Sequence, residues 1–202
     1  MPVALAAGLA PGACRRAAVG DAASGVTLAG STSLQPLAER WGEEYHDARV
    51  TVQAGGSTAG IRAAHDGTAD VGMSSRPLHG DEGTGLVQTV VAIDGLAIVV
   101  HPSNPVATLS RAQLRALFAG AARRWGDVGG DAAAPVVVVT REDGSGTRAT
   151  FEELVMGATP IARGALVTAF SGTVRRTVAD DPRAVGYMTI SQVGPGVRVV
   201  PV

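Results

Sequence analysis

Val136-Val137-Val138-Val139-Thr140 runs into Arg141-Glu142-Asp143-Gly144-Ser145-Gly146-Thr147-Arg148, and this leads into Ala149-Thr150-Phe151-Glu152-Glu153-Leu154-Val155. A run of β-formers, a loop of small and charged residues and a helix-like segment follow without a break. Glycines let the backbone bend so that successive N–H groups point into one concavity. The helix that follows adds its unpaired N-terminal donors and the positive end of its dipole. Ser145 and Thr147 contribute hydroxyls, and Arg141 a planar fork of donors that fits an oxyanion. A helix N-cap with a flexible lead-in explains this segment taken alone. The pattern recurs, however, at Ser31-Thr32-Ser33 and at Gly56-Ser57-Thr58.

Working outward, the chain alternates strand and helix signals. Val26 to Gly30 reads as a short buried strand, and Leu34, Leu37, Ala38, Trp41 and Tyr45 then fall on one helical face. Arg49 to Gln53 and Asp70 to Ser74 read as further strands, with a helix through Ile61 and Ala64 between them. Val90 to Val100 is long and apolar enough to cross from one lobe into another. Leu109 to Phe118 has helical spacing, and Arg124 to Asp127 a turn. Ala184 to Ile190 is a weaker strand, followed by a final apolar run from Val197 to Val202. Strands separated by helices imply a parallel α/β arrangement, and loops at the carboxyl ends of such strands gather where ligands bind. Two of the three loops come early and one late, which suits a cleft between two lobes.

The 202 residues suffice for two lobes of about 100 each. Apolar residues make up 46% of the chain but aromatics only 3%, so Ala, Val, Leu and Gly must do most of the packing. Trp41, Trp125 and Phe151 are the expected larger anchors. All 17 basic residues are Arg, and the net charge is −1. With no broad basic face, nucleic acid and anionic membrane surfaces are poor partners, and an anion site has to be local. A lone cysteine, Cys14, excludes an internal disulfide and any multi-cysteine metal site. The segment Met1 to Cys14 reads like the apolar core and cleavage region of a secretory signal without its charged start. Ala13-Cys14 suits a bacterial lipoprotein box, although Pro11 sits where Leu is usual, and residues 15–25 read as a tether.

Several chemistries are excluded by what is missing. Gly55 to Gly60 lacks the Lys of a phosphate-binding P-loop and the dinucleotide glycine spacing. Gly144-Ser145-Gly146 is not a hydrolase nucleophile elbow, and no evident base accompanies Ser57 or Ser145. His46, His65, His79 and His101 have no metal-ligand spacing and read as exposed structural residues. The residues point to a binding protein without cofactor or metal, not an enzyme.

In their order, these loops resemble the substrate-binding protein of the bacterial ABC phosphate importer, the PstS-like family. The matching stretches are Ala29 to Ser33, Gln53 to Gly60, Gly67 to Leu78, Ala92 to Gly95, Arg141 to Thr147 and Val185 to Tyr187. The resemblance implies a two-lobed type II periplasmic-binding-protein fold with crossing hinge strands, closing over one phosphate. It divides the chain into residues 26–96 plus 186–202 as lobe I and 97–185 as lobe II. It implies inorganic phosphate as ligand and an ABC transporter permease as partner. It also implies an exported, monomeric protein; the lipoprotein-like box at Cys14 is the one expected tie to a membrane, with an inert N-terminal tail as the alternative reading of that segment.

Carried over, Thr32 and Ser33 form the first ligand loop, Ser57 the second, and Arg141, Ser145, Gly146 and Thr147 the cluster of the other lobe. Some members carry an Asp that accepts the proton of bound phosphate where this chain has Ser75-Arg76. Asp94 is the expected replacement, and Arg76 the expected second guanidinium. The chain also stops soon after Pro195-Gly196, where the family usually continues, so lobe I is expected to be less completely covered. Loss of the acceptor would favour sulfate, molybdate or a phosphonate as the anion. A cell-surface signalling or adhesion module that has kept the fold is the reading from a different class.

Overall fold

The computed structural model describes residues 25–202. Cys14 and the signal-like segment lie outside the described residues. Strand β1 (Val26–Gly30) runs through a turn into helix α1 (Gln35–Glu44). Strand β2 (Val50–Ala54), helix α2 (Ser57–His65) and strand β3 (Val71–Met73) follow. The three strands form one parallel sheet in the order β2-β1-β3, with Val26 opposite Val50 and Leu28 opposite Val71. Helix α2 lies unusually close to this sheet. A Cβ on Gly60 would come within 2.5 Å of the Ala29 carbonyl and 2.6 Å of the Gly30 Cα, so only glycine fits.

A second, five-stranded sheet holds β4 (Leu96–Val100), β5 (Val137–Arg141), β6 (Leu166–Thr168), β7 (Ala184–Thr189) and β8 (Arg198–Val200) in the order β6-β5-β7-β4-β8. Strand β4 is antiparallel to both β7 and β8, whereas β5 is parallel to β6 and β7. The strands therefore sort their side chains by the two-residue period of a sheet buried on both faces. Ile98, Val100, Val185 and Tyr187 face one core with Leu114, Phe118, Trp125 and Phe151. Ala97, Val99, Ala184 and Met188 face the other with Val139, Val174 and Val178. Helix α3 (Arg111–Phe118) starts in a capping box of Ser110 and Gln113 and covers the first face. Helix α4 (Gly146–Phe151) continues as one wide turn over Glu152–Met156 on that side. Helix α5 (Ser171–Asp180) covers the second.

Four expectations need correction. The apolar run from Val90 is not one long strand. Val87 and Ile93 are 96% and 97% exposed, and the strand begins only at Leu96. Apolar composition made it resemble a strand, but residues 84–95 have no partner strand, so they cross between the sheets as unpaired chain. Residues 186–202, expected with lobe I, pack with the second sheet. β4 has five apolar residues and is covered on both edges, by β7 and β8. Trp41 is no core anchor. It stays 44% exposed, whereas Trp125 and Phe151 are fully buried. His101 is half-buried and bonds Ser103, unlike the exposed His46, His65 and His79. Strand β6 and helix α5 went unread in the sequence.

Candidate functional site

The carboxyl ends of β1, β2 and β5 each deliver one of the hydroxyl-bearing loops, and the three loops meet. Arg141, the last residue of β5, is almost completely buried and organises one half of the meeting point. Its Nη1 donates to Ser171 Oγ at 2.8 Å, and its Nη2 donates to Thr32 Oγ1 at 3.1 Å. Ser33 Oγ lies 2.8 Å from Thr147 Oγ1 and 3.2 Å from Ser171 Oγ. The second half is smaller. Ser57 Oγ and Ser75 Oγ are 3.3 Å apart, and the Ser75 amide donates to Ser57 Oγ. Gly146 sits directly against this pair, because a Cβ there would run into both hydroxyls. Next to it, the Thr58 amide donates to the Gly144 carbonyl across the two sheets.

The buried hydroxyls bond to one another and to Arg141, and among the described residues no buried side-chain polar atom lacks a partner. Hydroxyls can rotate and exchange one another for an incoming oxygen acceptor at small cost. Ser145, fully buried, is the N-cap of α4 and accepts from the Arg148 amide, which leaves its O–H free to donate. Burial pushes the Tyr187 hydroxyl up to about 12, so it stays protonated. That hydroxyl bonds Thr140 Oγ1 and accepts from the Arg141 amide, while its ring stacks on Phe151 at 4.1 Å. The aromatic core thereby fixes the strand end from which the guanidinium projects.

Charge near the site is balanced locally. Glu142 takes a bidentate pair of bonds from Arg141 Nε and Nη2, at 3.0 and 2.9 Å. Arg76, expected as a second guanidinium for the anion, instead spends both terminal nitrogens on Glu82 at 2.7 Å each. Hydrogen bonds from Arg76 and from the His79 amide hold the Glu82 carboxyl down at about 2. Its partner lies only six residues away in the chain, and the Pro77 carbonyl takes a further bond from Nη1 at 2.9 Å. Asp94 is exposed, accepts from the Gly95 amide and from Ser191 Oγ, and makes no hydrogen bond to the cluster. It lines the same groove as Ser33, Ser75 and Thr147.

Two residues of the site were missed in the sequence. Ser171 opens α5 and touches Arg141, Thr32 and Ser33. A signal existed, since Ser171-Gly172-Thr173 repeats the triplet Ser145-Gly146-Thr147. Gln192, just past β7, donates to the carbonyls of Thr32 and Ser33 and ties the first loop to the second sheet. No local sequence pattern announces it. Among the described residues no cluster of His, Cys, Asp and Glu could hold a metal ion.

A family model described as a PBP superfamily domain matches residues 16–196. A protein from Clostridium perfringens, assigned as a phosphate ABC transporter substrate-binding protein and solved with bound phosphate, superposes with a TM-score of 0.81. It is 36% identical, over 87% of this chain and 74% of that one. The chain belongs to the PstS-like family of the PBP superfamily. Its architecture is accordingly the type II periplasmic-binding-protein fold. An ABC-type phosphate transport receptor from Vibrio cholerae is also similar, at 38% identity and a TM-score of 0.67, covering 87% of this chain and 75% of that one. The phosphate-binding protein PstS of Bacillus subtilis is 35% identical over 177 residues, which are 84% of this chain and 58% of that protein. This PstS-like chain thus spans less than two thirds of the length of the curated relatives it matches.

Proposed function

We propose that this chain captures inorganic phosphate outside the cytoplasm and hands it to the permease of an ABC importer, working as a monomer. One observation carries the reading. Arg141 and hydroxyls from three strand-to-helix turns bond to one another where the sheets meet, and Ser57 of a fourth turn lies against them at Gly146. Such a set of oriented donors suits a tetrahedral oxyanion, and the relatives' own ligand supports phosphate over sulfate or molybdate. In this scheme Thr32, Ser33, Ser57, Ser75, Arg141, Ser145, Gly146 and Thr147 hold the anion. Residues 84–95, unpaired and exposed, serve as the hinge about which the lobes open.

Asp94 supplies the discrimination. Hydrogen phosphate has a proton to give to its carboxylate, whereas sulfate has none and meets a bare negative charge. Asp94 lines the same groove as Ser33, Ser75 and Thr147, which supports this role. Ser57 has Ser75 as its side-chain partner and no histidine beside it, so the site is built for binding and not for nucleophilic attack. Among the described residues no helix is long and apolar enough to cross a membrane. Attachment to a membrane in this scheme rests on Cys14.

Calorimetric titration of the anion-stripped chain with phosphate and with sulfate tests the reading. It predicts micromolar or tighter phosphate binding and no sulfate heat, with discrimination reduced in Asp94→Asn. Silence with both anions would overturn it.

A further inference from the structure

The first ligand loop is joined to the second sheet by two kinds of contact. Thr32 Oγ1 meets Arg141, and Ser33 Oγ meets Thr147 and Ser171. These links run between groups that can donate to an oxyanion, so a bound anion takes them over. Gln192 makes a contact of the other kind. Its Nε2 donates to the Thr32 carbonyl at 3.0 Å and to the Ser33 carbonyl at 3.1 Å. A primary amide nitrogen carries two N–H groups, one for each carbonyl. The carbonyl oxygens accept and cannot donate, so an arriving anion does not compete for them.

This contact also sets which way the loop faces. Among the described residues every peptide bond is trans, and across a trans peptide the C=O and the following N–H point in opposite directions. Drawing the two carbonyls toward Gln192 therefore turns the Ser33 and Leu34 amides to the other side. There the Ser33 amide donates to Ser31 Oγ at 3.3 Å, a long bond that an anion oxygen can replace. Gln192 is itself well anchored. It ends the short turn Ile190–Gln192 after β7, where the Ile190 amide donates to the Gly95 carbonyl at 2.8 Å. Gly95 is the end of the 84–95 crossing, so Gln192 stands close to the pivot and moves little as the lobes open.

We propose that Gln192 is a positioning residue for phosphate capture, one that holds the first ligand loop in its binding form before the anion arrives. The inference rests on the phosphate reading above and adds to it a residue that does not touch the ligand. A loop that is correctly set only part of the time lowers the apparent affinity by that fraction.

Phosphate is titrated by calorimetry into the full, anion-stripped chain and into its Gln192→Met and Gln192→Ala variants. Gln192→Met keeps the size and the neutral charge and removes both donors. It is expected to bind phosphate about tenfold more weakly, the magnitude of the neutral hydrogen bonds lost. In the anion-free variant the Ser33 and Leu34 amides are expected to exchange faster, and saturating phosphate to restore their protection. The urea midpoint and the exchange of β7 should stay as in the wild type, and Gln192→Ala should repeat the pattern. Wild-type affinity in Gln192→Met would overturn the inference. So would a loss accompanied in both variants by a lower urea midpoint and faster exchange throughout, which would make Gln192 a general stabiliser. Failure of the wild type to bind phosphate would instead remove the reading on which the inference rests.

Discussion

The two sheets of this protein are built to different standards. The five-stranded sheet is buried on both faces by two apolar clusters, and all six residues of β7 are inaccessible. On the three-stranded sheet and its helices the buried apolar side chains are Ala38, Ile61, Ala69 and Met73, while Val71 lies exposed at the edge. Hydrophobic burial stabilises roughly in proportion to area, so most of the folding free energy resides in the second sheet. Regions with few buried contacts open at low cost. The firmly packed sheet holds Arg141 in place through Tyr187 and Phe151, and the thinly packed one carries the loops of Ser31–Ser33 and Ser57 that meet it. The difference teaches that rigidity and mobility in this site are divided between the sheets.

Core truncation gives the sharpest test of that division. Phe151→Ala is expected to lower unfolding free energy by about 3–5 kcal/mol, and Trp41→Ala by only about 1 kcal/mol, as read from urea midpoints. Equal losses would break the comparison. Next comes Arg141→Ala, which removes the guanidinium shared by Thr32, Ser171 and Glu142. Phosphate affinity should fall on the order of a hundredfold or more by calorimetry, since truncating one partner of a buried charged network costs several kcal/mol.

Much of the fold and the meeting of the three loops was legible in the sequence, whereas the unequal packing of the two sheets was not, and the misses have physical causes. The three Ser/Gly/Thr loops were found because a strand signal before and a helix signal after bracket each of them. Ser171 lacked that bracket. Its strand, Leu166–Thr168, is short and exposed at an edge, so no apolar run announced it. Val90 to Val100 misled in the opposite direction, because apolarity does not reveal whether a partner strand exists. Trp41 misled for the same reason, as a helical stripe shows which face is apolar but not what covers it. Residues 186–202 were placed by resemblance, and the pairing of β8 with β4 depends on contacts about a hundred residues apart.

Smaller effects refine the picture. Ser171→Ala is expected to weaken phosphate binding about tenfold, the magnitude of one hydrogen bond to a charged group, with unfolding free energy changed by under about 1 kcal/mol. The Arg76–Glu82 pair on the mobile side gives the smallest effect. Its carboxyl is depressed in the folded protein, so its stabilisation is complete above the ordinary carboxylate range and is lost as pH falls toward about 2. Wild type should exceed Glu82→Gln by about 1 kcal/mol or less at pH 6, and the gap should close between about pH 4.5 and 2. A gap that widens on acidification would contradict this assignment.

Hydrogen exchange with and without saturating phosphate tests the central claim, that one anion is held by both sheets at once. The account predicts slowed exchange together at Ser33, at Ser57 and Thr58, at Gly146 and Thr147, and at Ser171. Protection confined to the loops of one sheet would contradict it.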